Sequence, residues 1–151
     1  MKIIIDTREQ QPWTFRRPLV TTLKTGDYSV IGFEDVICIE RKAKVAEIAA
    51  NFTQDRFWNE MERMSSFKKK VMICEFTEAQ IAIYPKGSNI PRWRQRYIRV
   101  KPPYLFSCIE KIRNDYGIEV LFFDDKSQAN IFAKVWLENA VKELEEKKKN
   151  A

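Results

Sequence analysis

A chain of 151 residues, 44% apolar and 13% aromatic, has the material for one substantial core, which excludes wholesale disorder and argues for a single domain. Histidine is absent, so Ser-His-Asp and Cys-His catalysis, histidine acid–base chemistry and histidine metal ligation are all excluded. The formal net charge of +6 resides in residues 84–101, YPKGSNIPRWRQRYIRVK, which hold basic side chains and no acid, while the rest of the chain is balanced.

In chain order, KIIID reads as a short buried strand ending at Asp6. The apolar stretch before Asp6 is too short for a signal peptide, and no run approaches the roughly 18 residues of a membrane helix. A cytoplasmic protein with no membrane partner is therefore expected, acting in a nucleus or nucleoid if cellular. Residues 7–25 carry Pro12 and Pro18 and read as a loop. DYSVIGFEDVICIERK reads as a hairpin turning near Gly32 and Asp35. From Ala43, helical spacing runs through Val45, Ile48, Ala49 and Phe52, and a second helical stretch aligns Phe57, Met61 and Met64. The two are either continuous or broken near Asn51.

KKVMICEF reads as another buried strand, ending at Glu75. Residues 84–103, with four prolines and a glycine, read as a long loop. A helix is expected from Tyr104, with Leu105, Cys108, Ile109, Ile112 and Tyr116 on one side and Gly117 just past its end. IEVLFF reads as a strand. The last helix starts at Asp124 or Asp125 and carries the stripe Ala129, Phe132, Ala133, Trp136, Leu137, Ala140, Val141 and Leu144. A domain over 1–142 and a charged, solvated tail over 143–151 are expected. Strands alternating with helices make the class α/β, a sheet flanked by helices.

Cys38, Cys74 and Cys108 are scattered among apolar neighbours with no CxxC pair, so they read as buried free thiols and not as a zinc site. Any metal must then be a hard cation held by oxygen, such as magnesium or manganese.

Acidic groups recur at strand ends: Asp6, Asp27 and Glu40. Strand alternation places Glu40 and Lys42 on one face and Arg41 on the other, where an ion pair is the expected role. Two or three carboxylates can hold a divalent cation against a phosphate oxygen, and a lysine on the same face can neutralise charge or orient the attacking water. The spacing alone leaves a solvated strand end as an equal alternative.

IIIDTREQ, GDYSV and CIERK, in this order, resemble the XPF family of structure-specific endonucleases, within the restriction-endonuclease-like, PD-(D/E)xK superfamily. RFWNEMERM followed by KKVMICEF extends the likeness, which covers nearly all of residues 2–140. The resemblance implies a restriction-endonuclease-like central mixed sheet flanked by helices. It implies a Mg²⁺- or Mn²⁺-dependent endonuclease acting on branched or otherwise structured DNA, and a homodimer paired through its nuclease domains. It makes Asp27 and Glu40 metal ligands with Asp6 supporting them, Lys42 the catalytic lysine, and Arg8 and Glu9 neighbours or braces of the scissile phosphate.

Two departures stand out. Where the family often has an acid four residues after the lysine, this chain has Ala46, with Glu47 beside it. The tandem helix-hairpin-helix module usual in the family has no counterpart in this sequence, so the fork or flap preference of relatives does not carry over. DNA contact is then expected from the basic segment, with Lys86, Arg92, Arg94, Arg96, Arg99 and Lys101 gripping phosphates and Trp93 and Tyr97 stacking on an unpaired or splayed base. The blander reading is a solvated loop whose charge serves solubility. Competing functions are a catalytically silent DNA-binding or scaffolding subunit and a basic RNA-binding domain. The second leaves the carboxylates without a role.

Overall fold

The run IIID has no polar residue to turn outward before its last position, and it forms the fully buried strand Ile3–Asp6 (β1). The computed structural model describes residues 1–151. Next to β1 lies the hairpin of Tyr28–Val30 (β3) and Ile37–Lys42 (β4), antiparallel with Tyr28 opposite Ile39. Lys69–Cys74 (β5) adds parallel to β4, pairing Glu40 with Met72 and Lys42 with Cys74, and Glu119–Phe122 (β6) adds parallel to β5. Leu19–Thr21 (β2) adds parallel to β1 at the other edge. The result is one mixed six-stranded sheet, in the order β2-β1-β3-β4-β5-β6, flanked by helices.

Strand alternation sorts the two faces. Ile3, Ile5, Tyr28, Val30, Ile37, Ile39, Val71 and Ile73 meet the helix Lys126–Lys149 (α6) on one side. Cys38, Met72, Cys74 and Val120 face the other side, against Val45–Asn51 (α1), Asp55–Ser65 (α2), Glu78–Ala82 (α3) and Pro102–Asp115 (α5). Glu40 and Lys42 share the parity of Cys38, and Asp6 the parity of Ile4, so these charges point toward the α1/α2 layer.

The two helical stretches after β4 are separate, with the break after Asn51. The α6 stripe is spent on the chain's own sheet: Ala129, Ala133, Leu137, Ala140 and Val141 are buried there, and Phe132, Trp136 and Leu144 pack around them. It therefore offers no free face to a partner. Residues 143–149 continue α6 unbroken to Lys149 with mostly exposed side chains, and Glu143 pairs with Lys69 of β5. No helix is long and apolar enough to cross a membrane.

Two short elements lie where loops were expected, and a third, α3, lies in the stretch between the strand ending at Glu75 and the loop from residue 84. β2 is three residues long and largely exposed, too short for a readable period. α3 is announced by its capping box, in which the Thr77 hydroxyl accepts from the Gln80 amide and the Gln80 side chain accepts from the Thr77 amide. Arg92–Gln95 (α4) is one turn within the basic segment. Helix α5 starts at Pro102, two residues before the expected Tyr104, because proline suits the first helical turn.

Gly26 supports the hairpin's entry. Its φ is +84°, and a Cβ there would lie 2.3 Å from Cys38 Sγ and 3.1 Å from the Ile39 carbonyl oxygen. The neighbouring Asp27 amide donates to that same carbonyl at 2.8 Å. Gly26→Ala combines left-handed strain with a core clash, so an urea-unfolding loss of about 2–4 kcal/mol is expected. A loss under about 0.5 kcal/mol would show that β3 and β4 do not need this close approach.

Candidate active site

Arg41, alone among the charges of β4, points to the α6 side, and there it is enclosed by acids. Its Nε and Nη2 donate to the two oxygens of Glu75 at 2.8 and 3.0 Å, and Nη1 donates to Glu9 at 3.1 Å. Trp13 Nε1 donates to Glu75 at 2.6 Å, the Tyr28 hydroxyl donates to Glu9 at 2.9 Å, and that hydroxyl accepts the Trp13 amide. Burial works against the Arg41 charge, but Glu75 and Glu9 outweigh it and hold its pKa above the ordinary value. The expected ion pair on this face is present. Glu9 serves it as a brace.

The Arg41 backbone reaches the other way. Its amide donates to Asp27 Oδ2 at 2.7 Å, fixing the carboxyl that opens the hairpin beside the one at its far end. Asp6 is differently occupied: it accepts Arg8 Nε at 2.8 Å, Arg8 Nη2 at 3.3 Å, the Arg8 amide at 3.2 Å and the Leu23 amide at 2.8 Å. Both oxygens are fully engaged. Burial would raise its pKa, but these donors lower it on balance. Asp6, expected to support the metal ligands, lines the acid hollow below and anchors Arg8 and the Leu23 backbone.

A hollow of about 220 Å³ opens over these groups, lined by Asp6, Arg8, Glu9, Asp27, Glu40 and Glu60 together with Lys24, Gly26 and Arg63. Within it the Glu40 carboxyl lies against those of Asp27 and Glu60. Asp27 is pushed up to about 6, by burial first and then by the Glu9 charge, with the Glu40 contact lowering it. Glu60 is pushed up to about 7, by burial and then by Glu40. Glu40, 3% exposed, is raised well above the ordinary range by burial and by Asp27.

Lys42 stands beside this chain of acids. Its ammonium donates to Asn51 Oδ1 at 2.8 Å, lies 3.4 Å from Glu40 and sits over the Phe57 ring. Burial opposes its charge, yet Glu40, Glu47, Asp27 and Glu60 together hold its pKa above the ordinary value. It is a fixed ammonium, a donor and not a base.

The donor set fits a hard divalent cation. No three acids converge as a ready-made metal cage. Magnesium, however, is bound through one or two carboxylates, with water and substrate phosphate oxygens completing its octahedron. The linked pair Asp27 and Glu40 meets that requirement, with Glu60 at its edge.

The position of the expected family acid is Ala46, which lines a different hollow, and Glu47 accepts the Ala43 amide at 2.9 Å as a helix-end contact. Glu60, from α2, is the acid the sequence reading missed. Phe57, Glu60, Met61 and Met64 occupy i, i+3, i+4 and i+7, so Glu60 is an acid set in the buried register, which is a readable signal. Lys24 and Arg63, exposed at the rim, had no such signal. Of the basic segment, Lys86, Arg92, Trp93, Arg94, Arg96, Tyr97, Arg99 and Lys101 are all exposed and none lines the acid hollow. Of these, Trp93, Arg94 and Tyr97 line the next hollow, walled by α1, and Lys86 lines its neighbour.

A family model described as the ERCC4 domain matches residues 5–135. Among solved structures, XPF from Aeropyrum pernix superposes with a TM-score of 0.67 at 18% identity, over 99% of this chain and 69% of that one. A second structure, XPF from Aeropyrum pernix in complex with DNA, gives 0.66 at 19% identity, over 93% of this chain and 65% of that one. At such identities the likeness is one of fold, and this chain spans about two thirds of each relative. The comparison with curated proteins finds no match.

The raised carboxyls set a pH dependence. Between about pH 4 and 7 the folded, metal-free protein holds protons on Asp27, Glu40 and Glu60 that the unfolded chain has lost, so stability falls as pH rises through that window. Asp6 acts in the opposite sense, but below about pH 4. In EDTA the unfolding free energy is expected to drop by roughly 2–4 kcal/mol between pH 5 and 7.5. Glu60→Gln should flatten that drop, and millimolar Mg²⁺ should stabilise more at pH 7.5 than at pH 5. Denaturant titrations check this; stability that rises across the window, or a drop that Glu60→Gln leaves unchanged, contradicts it.

Proposed function

The chain belongs to the ERCC4-domain family of XPF-type DNA nucleases, and from that premise we propose that it is itself a divalent-metal-dependent endonuclease that hydrolyses phosphodiester bonds in branched or otherwise structured DNA. The observation that carries this reading is the hollow lined by Asp27, Glu40 and Glu60, with the Lys42 ammonium 3.4 Å from Glu40 and pinned by Asn51. Acids held together at such cost, with exposed cations at the rim, suit a site built to receive a cation and a phosphate. The DNA complex of the archaeal relative supports DNA as the partner.

In this mechanism Asp27 and Glu40 would hold Mg²⁺ or Mn²⁺, which would supply Lewis acidity to the phosphate and lower the pKa of a water. Water attacks phosphorus, the P–O bond to the leaving oxygen breaks, and that oxygen takes a proton. Lys42, kept protonated and pinned by Asn51, orients the water or stabilises the charge developing on the phosphate oxygens. Arg8, anchored on Asp6 yet 69% exposed, faces outward to a phosphate, as do Lys24 and Arg63. Glu9 acts one step removed, by holding Arg41. The six cations of residues 84–101 extend the phosphate-binding surface across α1.

Asp27→Asn and Glu40→Gln are each expected to lower Mg²⁺-dependent cleavage of flap and fork DNA by at least about a hundredfold, with the fold intact by circular dichroism. Lys42→Ala should cut the rate more than it weakens DNA binding. DNA binding without cleavage in either metal would instead favour the silent scaffolding subunit, a reading to which Ala46 at the family's acid position lends some support.

A homodimer is the assembly we infer, on the family's pairing through nuclease domains. The α6 stripe is spent internally, but Ile131 (66% exposed) and Val135 (49%) stand one turn apart on its outer face. Light scattering at micromolar concentration is expected to give twice the 18.0 kDa chain mass, and Ile131→Glu to shift it toward one. A monomeric wild type at that concentration contradicts pairing.

A further inference from the structure

On the other side of α1 from the acids lies an apolar hollow of about 520 Å³, walled by Ala46 and Ala50 of the helix and by Ile90, Trp93, Tyr97 and Val100 of the basic segment. The segment is not loosely draped. Ile90, Ile98 and Val100 pack on the main core and pin it at both ends. Between those anchors Trp93 and Tyr97 remain 68% and 65% exposed, a poor arrangement for a segment whose aromatics were needed for folding. Tyr97 is held in place: Arg96 Nη2 donates to its hydroxyl at 2.7 Å and the guanidinium covers one ring face at 4.8 Å. Its other face is free.

The chemistry around the hollow is one-sided. Arg94 lines it, Lys86 lines the adjoining hollow, and Arg92, Arg96, Arg99 and Lys101 are exposed on the same segment, which has no acid. A small apolar ligand would not need that rim. A protein segment would need acids placed to meet it. A nucleotide supplies both halves at once, a planar base with two apolar faces and an anionic phosphate on either side. The alanines of α1 are what keep the hollow open, since larger side chains there would fill it. One of them, Ala46, stands where relatives often have an acid, so this chain has a wall of the pocket where they carry a carboxylate.

We propose that this hollow seats one unpaired nucleobase of the bound strand, stacked on Trp93 and Tyr97, with its flanking phosphates held by Arg92, Arg94 and Arg96. The proposal rests on DNA being the partner, and it adds to that reading a base contact outside the acid hollow, between α1 and the basic segment. α1 starts three residues after Lys42, so the base seat and the acid hollow open at the same end of the sheet. A strand crossing both presents an unpaired base to one and a backbone phosphate to the other.

The test uses a labelled duplex with a short single-stranded flap and the same duplex with abasic residues in the flap, titrated by fluorescence anisotropy in EDTA. The backbone charge is identical, so only the bases differ. Wild type is expected to bind the intact flap about tenfold more tightly, within the range for stacking one base. Trp93→Ala should erase the preference. So should Ala50→Leu, an exposed helix position where leucine fills the hollow without touching any charge. Both variants should keep the wild-type salt dependence. Replacing Arg92 and Arg94 together by glutamine should do the reverse, flattening the plot of log affinity against log salt by roughly one to two units while the preference for bases persists. Equal affinity of wild type for the two flaps, or a preference that survives Ala50→Leu, overturns the base seat and assigns the hollow to a protein segment or to the chain's own packing, with DNA binding still standing. No binding to either DNA overturns the reading on which the proposal rests.

Discussion

Arg41 is the residue the rest of the site hangs on. It sits between Glu75, past the end of β5, and Glu9, past the end of β1, and its own amide carries Asp27. One guanidinium thereby ties three strand ends and the hairpin entry into a single register. A buried ion pair recovers little of its desolvation cost as net stability, because removing two charges from water offsets most of their attraction. What it supplies is position. With Trp13 and Tyr28 completing every donor and acceptor, the network has few other ways to be satisfied, and the opposite face of β4 is presented with Glu40, Asp27 and Lys42 already set.

That two-faced strand explains what the sequence revealed. Alternation needs no tertiary information, so Glu40 and Lys42 on one side and Arg41 on the other were legible from ICIERK alone, as were the hairpin and the α6 stripe. Asp6 was legible as a strand end but not in its role, since the Leu23 amide that claims one of its oxygens lies 17 positions away. Glu60 was hidden differently. It follows the apolar register of α2, and an acid on a buried face is easily read as tolerated there when no partner is in view. β2 and α4 carried too few residues for any period to emerge, and tertiary contact alone holds them. α3 did carry its capping-box signature.

The charges are segregated by depth. Asp6 and Glu40 are buried and Asp27 and Glu60 half-buried, while Arg8, Lys24, Arg63 and the cations of residues 84–101 stand exposed. A polyanion approaching from solution therefore meets an attractive field first and the carboxyls only at contact distance. The acids weaken that field little, because burial raises the pKa of Asp27, Glu40 and Glu60 and so favours their neutral forms. Net charge, modest at +6, understates how basic this face is to an incoming backbone.

Helix α1 is under two turns long, which is too short to bend. One of its sides walls the apolar hollow through Ala46 and Ala50, and its last residue, Asn51, holds the Lys42 ammonium. One short helix is therefore a wall common to both regions, and the adjacent residues Ala50 and Asn51 serve them separately, one by its small size and the other by its amide oxygen.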